Sequence, residues 1–217
     1  SNINYMKHQI IPMFSVPLYQ TNIPTLDPIE KSWIKNLNFP PQSVGLYDAE
    51  NEEPINKGMK VLDQPQLKKL RKQITDVVDN FTQDVLDIEQ KFELTTSWVN
   101  KYGKSDLNHQ HSHPNSMISG VYYIESDETS SPIIFNKPYF FTNLFHETIK
   151  PTFKNKNNNQ YNLDYYGFKP KTGDLYLFPS WLEHTVPPQE VDKERWSLAF
   201  NCFARGKLGS GTKQLQL

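Results

Sequence analysis

From Phe92 onward, apolar and polar residues fall into short runs separated by turn residues, the pattern of an antiparallel sandwich or barrel. The runs predict strands over 93–101, 107–112, 117–124, 131–135, 174–178, 184–188 and 194–204. Upstream, the period changes. After Asp63 and Pro65, the residues Leu67, Leu70, Ile74, Val77, Val78, Phe81, Val85 and Ile88 hold one helical face for about six turns. This predicts a long helix packed on the sheet, with Lys68, Lys69, Arg71 and Lys72 toward solvent. A shorter amphipathic stretch opens at Pro28 and aligns Ile29, Trp33 and Leu37. Residues 9–18 are apolar but broken by Pro12 and Pro17, which suits an edge strand or extended arm.

The remaining segments lack a period. Residues 38–60 read as a loop. Residues 136–170, rich in Tyr, Phe, Asn and Lys, are either a lid over a site or a strand pair joined by an Asn-rich turn. Gly206 to Leu217 is expected to be a mobile or lightly docked tail. With no internal repeat or domain-scale linker, residues 1–217 read as one domain. An N-terminal arm and supporting helices (1–92) precede a β core (93–205) and the tail (206–217).

Composition narrows the partners. The chain is 36% hydrophobic and 13% aromatic, a load that suits sheets enclosing a pocket better than a helical bundle. Net charge is −1 and the basic residues are dispersed, so no Lys/Arg stripe points to nucleic acid. No apolar run approaches the ~20 residues of a membrane span, and the N-terminus carries no apolar signal core. A soluble, cytoplasmic protein without a membrane partner is expected. A homodimer through the N-terminal arm or long helix is compatible with the pattern, although no interface signal specifies it. Cys202 is the only cysteine, which excludes an intrachain disulfide, a cysteine-based zinc site and an iron–sulfur cluster. It reads as a small strand residue.

The candidate chemistry lies in the histidines. His109, His111 and His113 alternate, and His184 follows about seventy residues later. Residues two apart on an extended chain share a face, so any two of the three can converge on one ion, with His184 as the remote third ligand. Two ligands at i and i+2, one remote histidine and open positions make the facial arrangement of a non-haem Fe(II) site, where the second ligand is normally a carboxylate. His8 and His146 lack partners at ligand spacing.

Over roughly residues 95–204 these features resemble a known family. Trp98-Val99-Asn100, His111-Ser112-His113-Pro114-Asn115-Ser116, Ser119-Gly120-Val121-Tyr122-Tyr123 and Gly173-Asp174-Leu175-Tyr176-Leu177-Phe178-Pro179-Ser180-Trp181-Leu182-Glu183-His184 resemble the 2-oxoglutarate/Fe(II)-dependent oxygenase superfamily. The nearest group is its prolyl-hydroxylase-like branch of bacteria and phages. The resemblance implies a mainly β fold with flanking α, a double-stranded β-helix or jelly-roll, cupin-like barrel. It implies His111, His113 and His184 as metal ligands, with His109 the alternate. It also implies Arg195, lying eleven residues past His184 and on a strand returning to the barrel interior, as a forked cationic partner for the distal carboxylate of 2-oxoglutarate. Ser197 shares its Arg-x-Ser element, Tyr123 matches a co-substrate tyrosine, and Asn100 and Asn201 are assigned to the same cavity by strand parity. Phe178 and Trp181 are expected to pack beneath the His184 turn.

The implied reaction uses Fe(II), 2-oxoglutarate and O2 and hydroxylates a C–H bond, releasing succinate and CO2. A protein or peptide side chain such as proline, or a small molecule, is the implied substrate. Replacing the family's carboxylate by neutral imidazole raises the site's net charge by one and weakens its hold on Fe(II). Three-histidine sites also support O2 chemistry in cupin-type dioxygenases on the same barrel. That keeps open a 2-oxoglutarate-independent dioxygenase or isomerase, and a non-enzymatic metal-binding module.

Overall fold

The computed structural model describes residues 9–37, 60–138, 152, 160–161 and 163–217. A five-stranded antiparallel sheet carries, in spatial order, β1 (Tyr19–Asn22), β7 (Asp174–Pro179), β4 (Ile118–Glu125), β9 (Arg195–Ala204) and β2 (Phe92–Tyr102). A four-stranded sheet carries β3 (Asn108–His111), β8 (His184–Val186), β5 (Ile133–Asn136) and β6 (Tyr165–Phe168). From β2 onward the chain passes between the two sheets almost strand by strand, which is the jelly-roll-like connectivity the alternating pattern and the resemblance imply. The protein is mainly β with few helices.

Parity along the strands creates two cores. On β9, Trp196, Leu198, Phe200 and Cys202 face one way and join Tyr122, Leu177 and the helices in a large apolar cluster. The alternate residues of the large sheet face the small one, where Val121, Tyr123, Phe135, Tyr176 and Phe178 form a second cluster. Gly120 permits a close contact on the helix side. A Cβ there would lie 2.3 Å from Phe200 Cζ and 2.7 Å from Leu177 Cδ2. Cys202 is fully buried, and burial pushes its thiol pKa up, as suits an inert strand residue.

The helical layer differs from the single long helix expected. A 3-10 turn (Pro65–Leu67) leads into α2 (Lys68–Asp79), which buries Leu70, Ile74 and Val78, and a π turn follows over Asn80–Val85. Leu86 N–H donates to Phe81 O, five residues back, so the helical phase slips by one residue. Val85 is therefore rotated into solvent at 57% exposure. Thr82 Oγ1 bonds Val78 O within that turn. In α1 (Pro28–Lys35), Asp27 and Glu30 form a capping box, and the buried face is Glu30 and Ile34. Ile29, expected inward, is 79% exposed.

Two further segments depart from expectation. The prolines keep residues 9–18 out of the sheet, and the edge strand begins at Tyr19, with only Val16 and Leu18 packed inward. The tail folds back as a small hairpin, β10 (Lys207–Leu208) with β11 (Leu215–Gln216), closed by reciprocal Gly206–Leu217 backbone bonds. Within 136–170, β5 and β6 supply a strand pair, and most of the connecting stretch lies outside the described residues. His8, His146 and almost all of the 38–60 loop also lie outside them. Among the described residues, no helix is long and apolar enough to cross a membrane.

Candidate active site

Three imidazoles converge at the open end of the barrel. His111 ends β3 and His184 begins β8, and the antiparallel register sets them directly opposite each other, with ring centroids 4.3 Å apart. His113 lies two residues beyond β3, where its backbone N–H donates to Ser180 O at 2.9 Å. Ring nitrogens of His111, His113 and His184 all lie within 4.8 Å of one another. His109 is exposed and outside this group, although its backbone carbonyl serves it.

Each ring is held by its Nδ1. His111 Nδ1 lies 2.7 Å from His109 O, His184 Nδ1 lies 3.1 Å from Leu182 O, and His113 Nδ1 lies 2.7 Å from Asn201 Oδ1. Carbonyl oxygens only accept, so Nδ1 carries the proton and Nε2 presents a lone pair. Burial, reinforced by His111, pushes His184 down to about 3, and burial likewise lowers His113. Both rings are therefore neutral at physiological pH. Nε2 of His113 is buried without a hydrogen-bond partner in the protein. Three convergent imidazoles, one of them with a buried and unsatisfied Nε2 acceptor, fit a divalent first-row metal.

Beside the histidines, the inward parity positions of three strands build a pocket. Register places Tyr123 beside Ser197, Ser197 beside Asn100 and Arg195 beside Tyr102. Arg195, Ser197, Tyr123 and Asn100 all line the cleft that reaches His111, His113 and His184. Arg195 is 2% exposed. Its Nη1 donates to Ser131 O at 2.8 Å, and its guanidinium lies over Tyr102 (4.7 Å) and Tyr123 (5.4 Å). Among the described residues no carboxylate pairs with it. Nε of Arg195 and the hydroxyl of Tyr123 are both buried and without partners, and burial pushes the Tyr123 pKa up, keeping it a donor. A buried unpaired cation costs several kcal/mol, so the unused Nε donor of Arg195 and the Tyr123 hydroxyl beside it suit a bound carboxylate.

Asn201 is not in this pocket. Parity correctly turns it inward, but it sits one rung beyond Ala199, level with Ser119, and supports His113. Phe178 packs edge-on to His184 at 4.9 Å as expected, whereas Trp181 is 54% exposed because the tight turn after Pro179 points it outward. Trp98, stacked 5.6 Å from His113, and Tyr102 also line the cleft. Both share the parity of Asn100, a signal sufficient to have found them.

A family model described as "Putative 2OG-Fe(II) oxygenase" matches residues 96–201, the stretch holding the three histidines and Arg195. The match covers just under half of the chain and makes it similar to the 2OG-Fe(II) oxygenases over the segment that carries the candidate site. The superfamily's cofactors are Fe(II), 2-oxoglutarate and O2. Among curated proteins, none matches the sequence. A Pseudomonas putida prolyl-4-hydroxylase shares the fold, with TM-score 0.50 and 13% identity over 88% of this chain and 95% of that one. HygX from Streptomyces hygroscopicus, solved with nickel and 2-oxoglutarate bound, gives TM-score 0.51 and 11% identity over 86% of this chain and 82% of that one. An oxidoreductase of the 2OG-Fe(II) oxygenase family from Burkholderia pseudomallei gives TM-score 0.48 and 14% identity over 72% of this chain. The present chain spans 64% of that protein's length.

Proposed function

We propose that the chain is an Fe(II)- and 2-oxoglutarate-dependent oxygenase that hydroxylates a side chain of a protein or peptide, or a small molecule. The observation that carries this reading is the pairing, in one cleft, of three imidazoles presenting Nε2 with the unpartnered Arg195 Nε and Tyr123 hydroxyl. A metal-only site would have no use for the second group. When bound, iron and 2-oxoglutarate would supply the oxidation, with O2 as the oxidant and succinate and CO2 as co-products of the hydroxylated substrate.

The protein's own residues then have separate tasks. His111, His113 and His184 would hold the metal, with Nδ1 of each ring already engaged by an oxygen acceptor. Arg195 neutralises and orients the distal carboxylate of the co-substrate, with Tyr123 donating to it and Ser197 and Asn100 lining its walls. Phe178, Val186 and Trp98 keep water from the reacting centre. The prolyl-4-hydroxylase likeness supports a protein or peptide substrate.

Succinate formation from 2-oxoglutarate, measured with Fe(II) under air, tests the reading. The wild type is expected to produce succinate and Arg195→Ala to lose it while still binding metal. A wild type that never consumes 2-oxoglutarate would overturn the proposal. The all-histidine ligand set favours one alternative, a three-histidine, cupin-type dioxygenase or isomerase independent of 2-oxoglutarate. In that case metal binds but Arg195→Ala leaves turnover unchanged.

A further inference from the structure

We propose that Asn201 is the positioning residue that makes His113 a metal ligand, acting within a closed polar ring that includes Ser119 and Ser180. The proposal rests on the metal-centre reading above. His111 and His184 solve their tautomer problem locally, each directing Nδ1 to the carbonyl two residues before it. His113 does not. Its Nδ1 reaches a side chain 88 residues away, Asn201 Oδ1 at 2.7 Å.

A backbone carbonyl offers only an acceptor, whereas a carboxamide has an acceptor end and a donor end. The orientation of Asn201 therefore selects the tautomer. With Oδ1 inward, the proton sits on Nδ1 and Nε2 is free to ligate. With Nδ2 inward, Nδ1 must accept, the proton moves to Nε2, and the ligand position is blocked.

The surroundings hold the productive orientation. Asn201 Nδ2 donates to Thr96 Oγ1 at 3.0 Å, and Ser119 Oγ donates to the same Oδ1 that faces His113, at 2.8 Å. Ser119 Oγ, whose proton goes to Oδ1, accepts from Ser180 Oγ at 2.8 Å, and Ser116 Oγ lies 2.8 Å from Ser180 Oγ. Ser119 and Ser180 are both fully buried. The carbonyl of Ser180 accepts the backbone N–H of His113, so the ring begins at the imidazole and closes on the same residue's main chain. Ser180 also lies four residues before His184 on the turn that delivers it. Orientation of one ligand is thereby tied to the backbone that places another.

The test reads the metal-free protein first. Nitrogen-15 NMR of the His113 ring should show a protonated Nδ1 and an unprotonated Nε2 in the wild type and in Asn201→Asp, whose carboxylate can only accept. Asn201→Leu should lose that preference and weaken Co(II) binding by about 10–100-fold, the range for outer partners of metal-bound histidines, while Asn201→Asp retains affinity. Ser119→Ala, which removes the second donor to Oδ1 but spares the His113–Asn201 contact, should loosen the tautomer with a smaller loss. Wild-type affinity or an unchanged tautomer in Asn201→Leu would overturn the proposal. Should that variant not fold, an unchanged tautomer and Co(II) affinity in Ser119→Ala would do so. A wild type that makes no succinate refutes the oxygenase reading but leaves these two readouts intact.

Discussion

The two faces of the five-stranded sheet are built from the same strands but held by different physics. On the helix side, Leu198, Phe200, Leu177 and Tyr122 pack among other apolar groups, and the close Gly120–Phe200 approach leaves no slack. On the barrel side, neighbouring residues of the same strands are Arg195, Ser197, Tyr123 and His113-bound Asn201, and Arg195 Nε and the Tyr123 hydroxyl lack a protein partner. One face is complete as folded. The other leaves buried polar atoms unpaired, as a face built to receive ligands would.

The sharpest way to break the contrast is a large cavity on the helix side. Phe200→Ala should destabilise the fold by about 3–5 kcal/mol, read from urea midpoints, while molecules still folded bind Co(II) as before. Its mirror image is His184→Ala, which removes a ligand outright. Metal affinity should fall by more than the roughly 100-fold expected for an outer partner, read calorimetrically, with a smaller change in metal-free stability than Phe200→Ala gives.

Gly120→Ala inserts a methyl group where Phe200 and Leu177 already sit and should cost about 1–3 kcal/mol. Combining it with Phe200→Leu should recover part of that loss, and strictly additive effects would refute the close contact. The effect that is smallest per step concerns pH. His184 has its folded pKa lowered to about 3, so the unfolded chain binds the extra proton first. Its contribution is present above the unfolded value near 6.5 and is lost as pH falls toward the folded one. Metal-free wild type should therefore lose about 1.4 kcal/mol per pH unit below 6.5 relative to His184→Ala. A parallel pH profile for the two proteins would contradict the buried neutral imidazole.

Much of this architecture was legible in the sequence because strand parity is strict. Alternation located seven strands to within a few residues, and it also put Arg195, Ser197 and Asn201 on one face. Parity gives the face but not the depth along it, which is why Asn201 was assigned to the co-substrate pocket although it lies beside His113. Spacing left the histidine register open between 109/111 and 111/113. The structure brings the second pair together with His184 because β3 ends at His111 and the chain then turns inward toward Ser180. The helix was overextended for a related reason. An apolar period cannot announce the one-residue slip of a π turn, so Val85 reads as core and emerges in solvent. β1 was missed because the prolines just before it obscure its short pattern, and β6 was anticipated only as one arm of a strand pair within 136–170.

His111 and His184 belong to the small sheet, whereas His113 is bound through Asn201 to the large one. An ion gripping all three would act as a rivet through the sandwich, contributing RT ln(1 + [M]/Kd) to the folded state alone. The chain's resistance to proteases and heat would then rise and fall with the metal available to it, making its cellular lifetime a gauge of iron supply as well as of its own sequence.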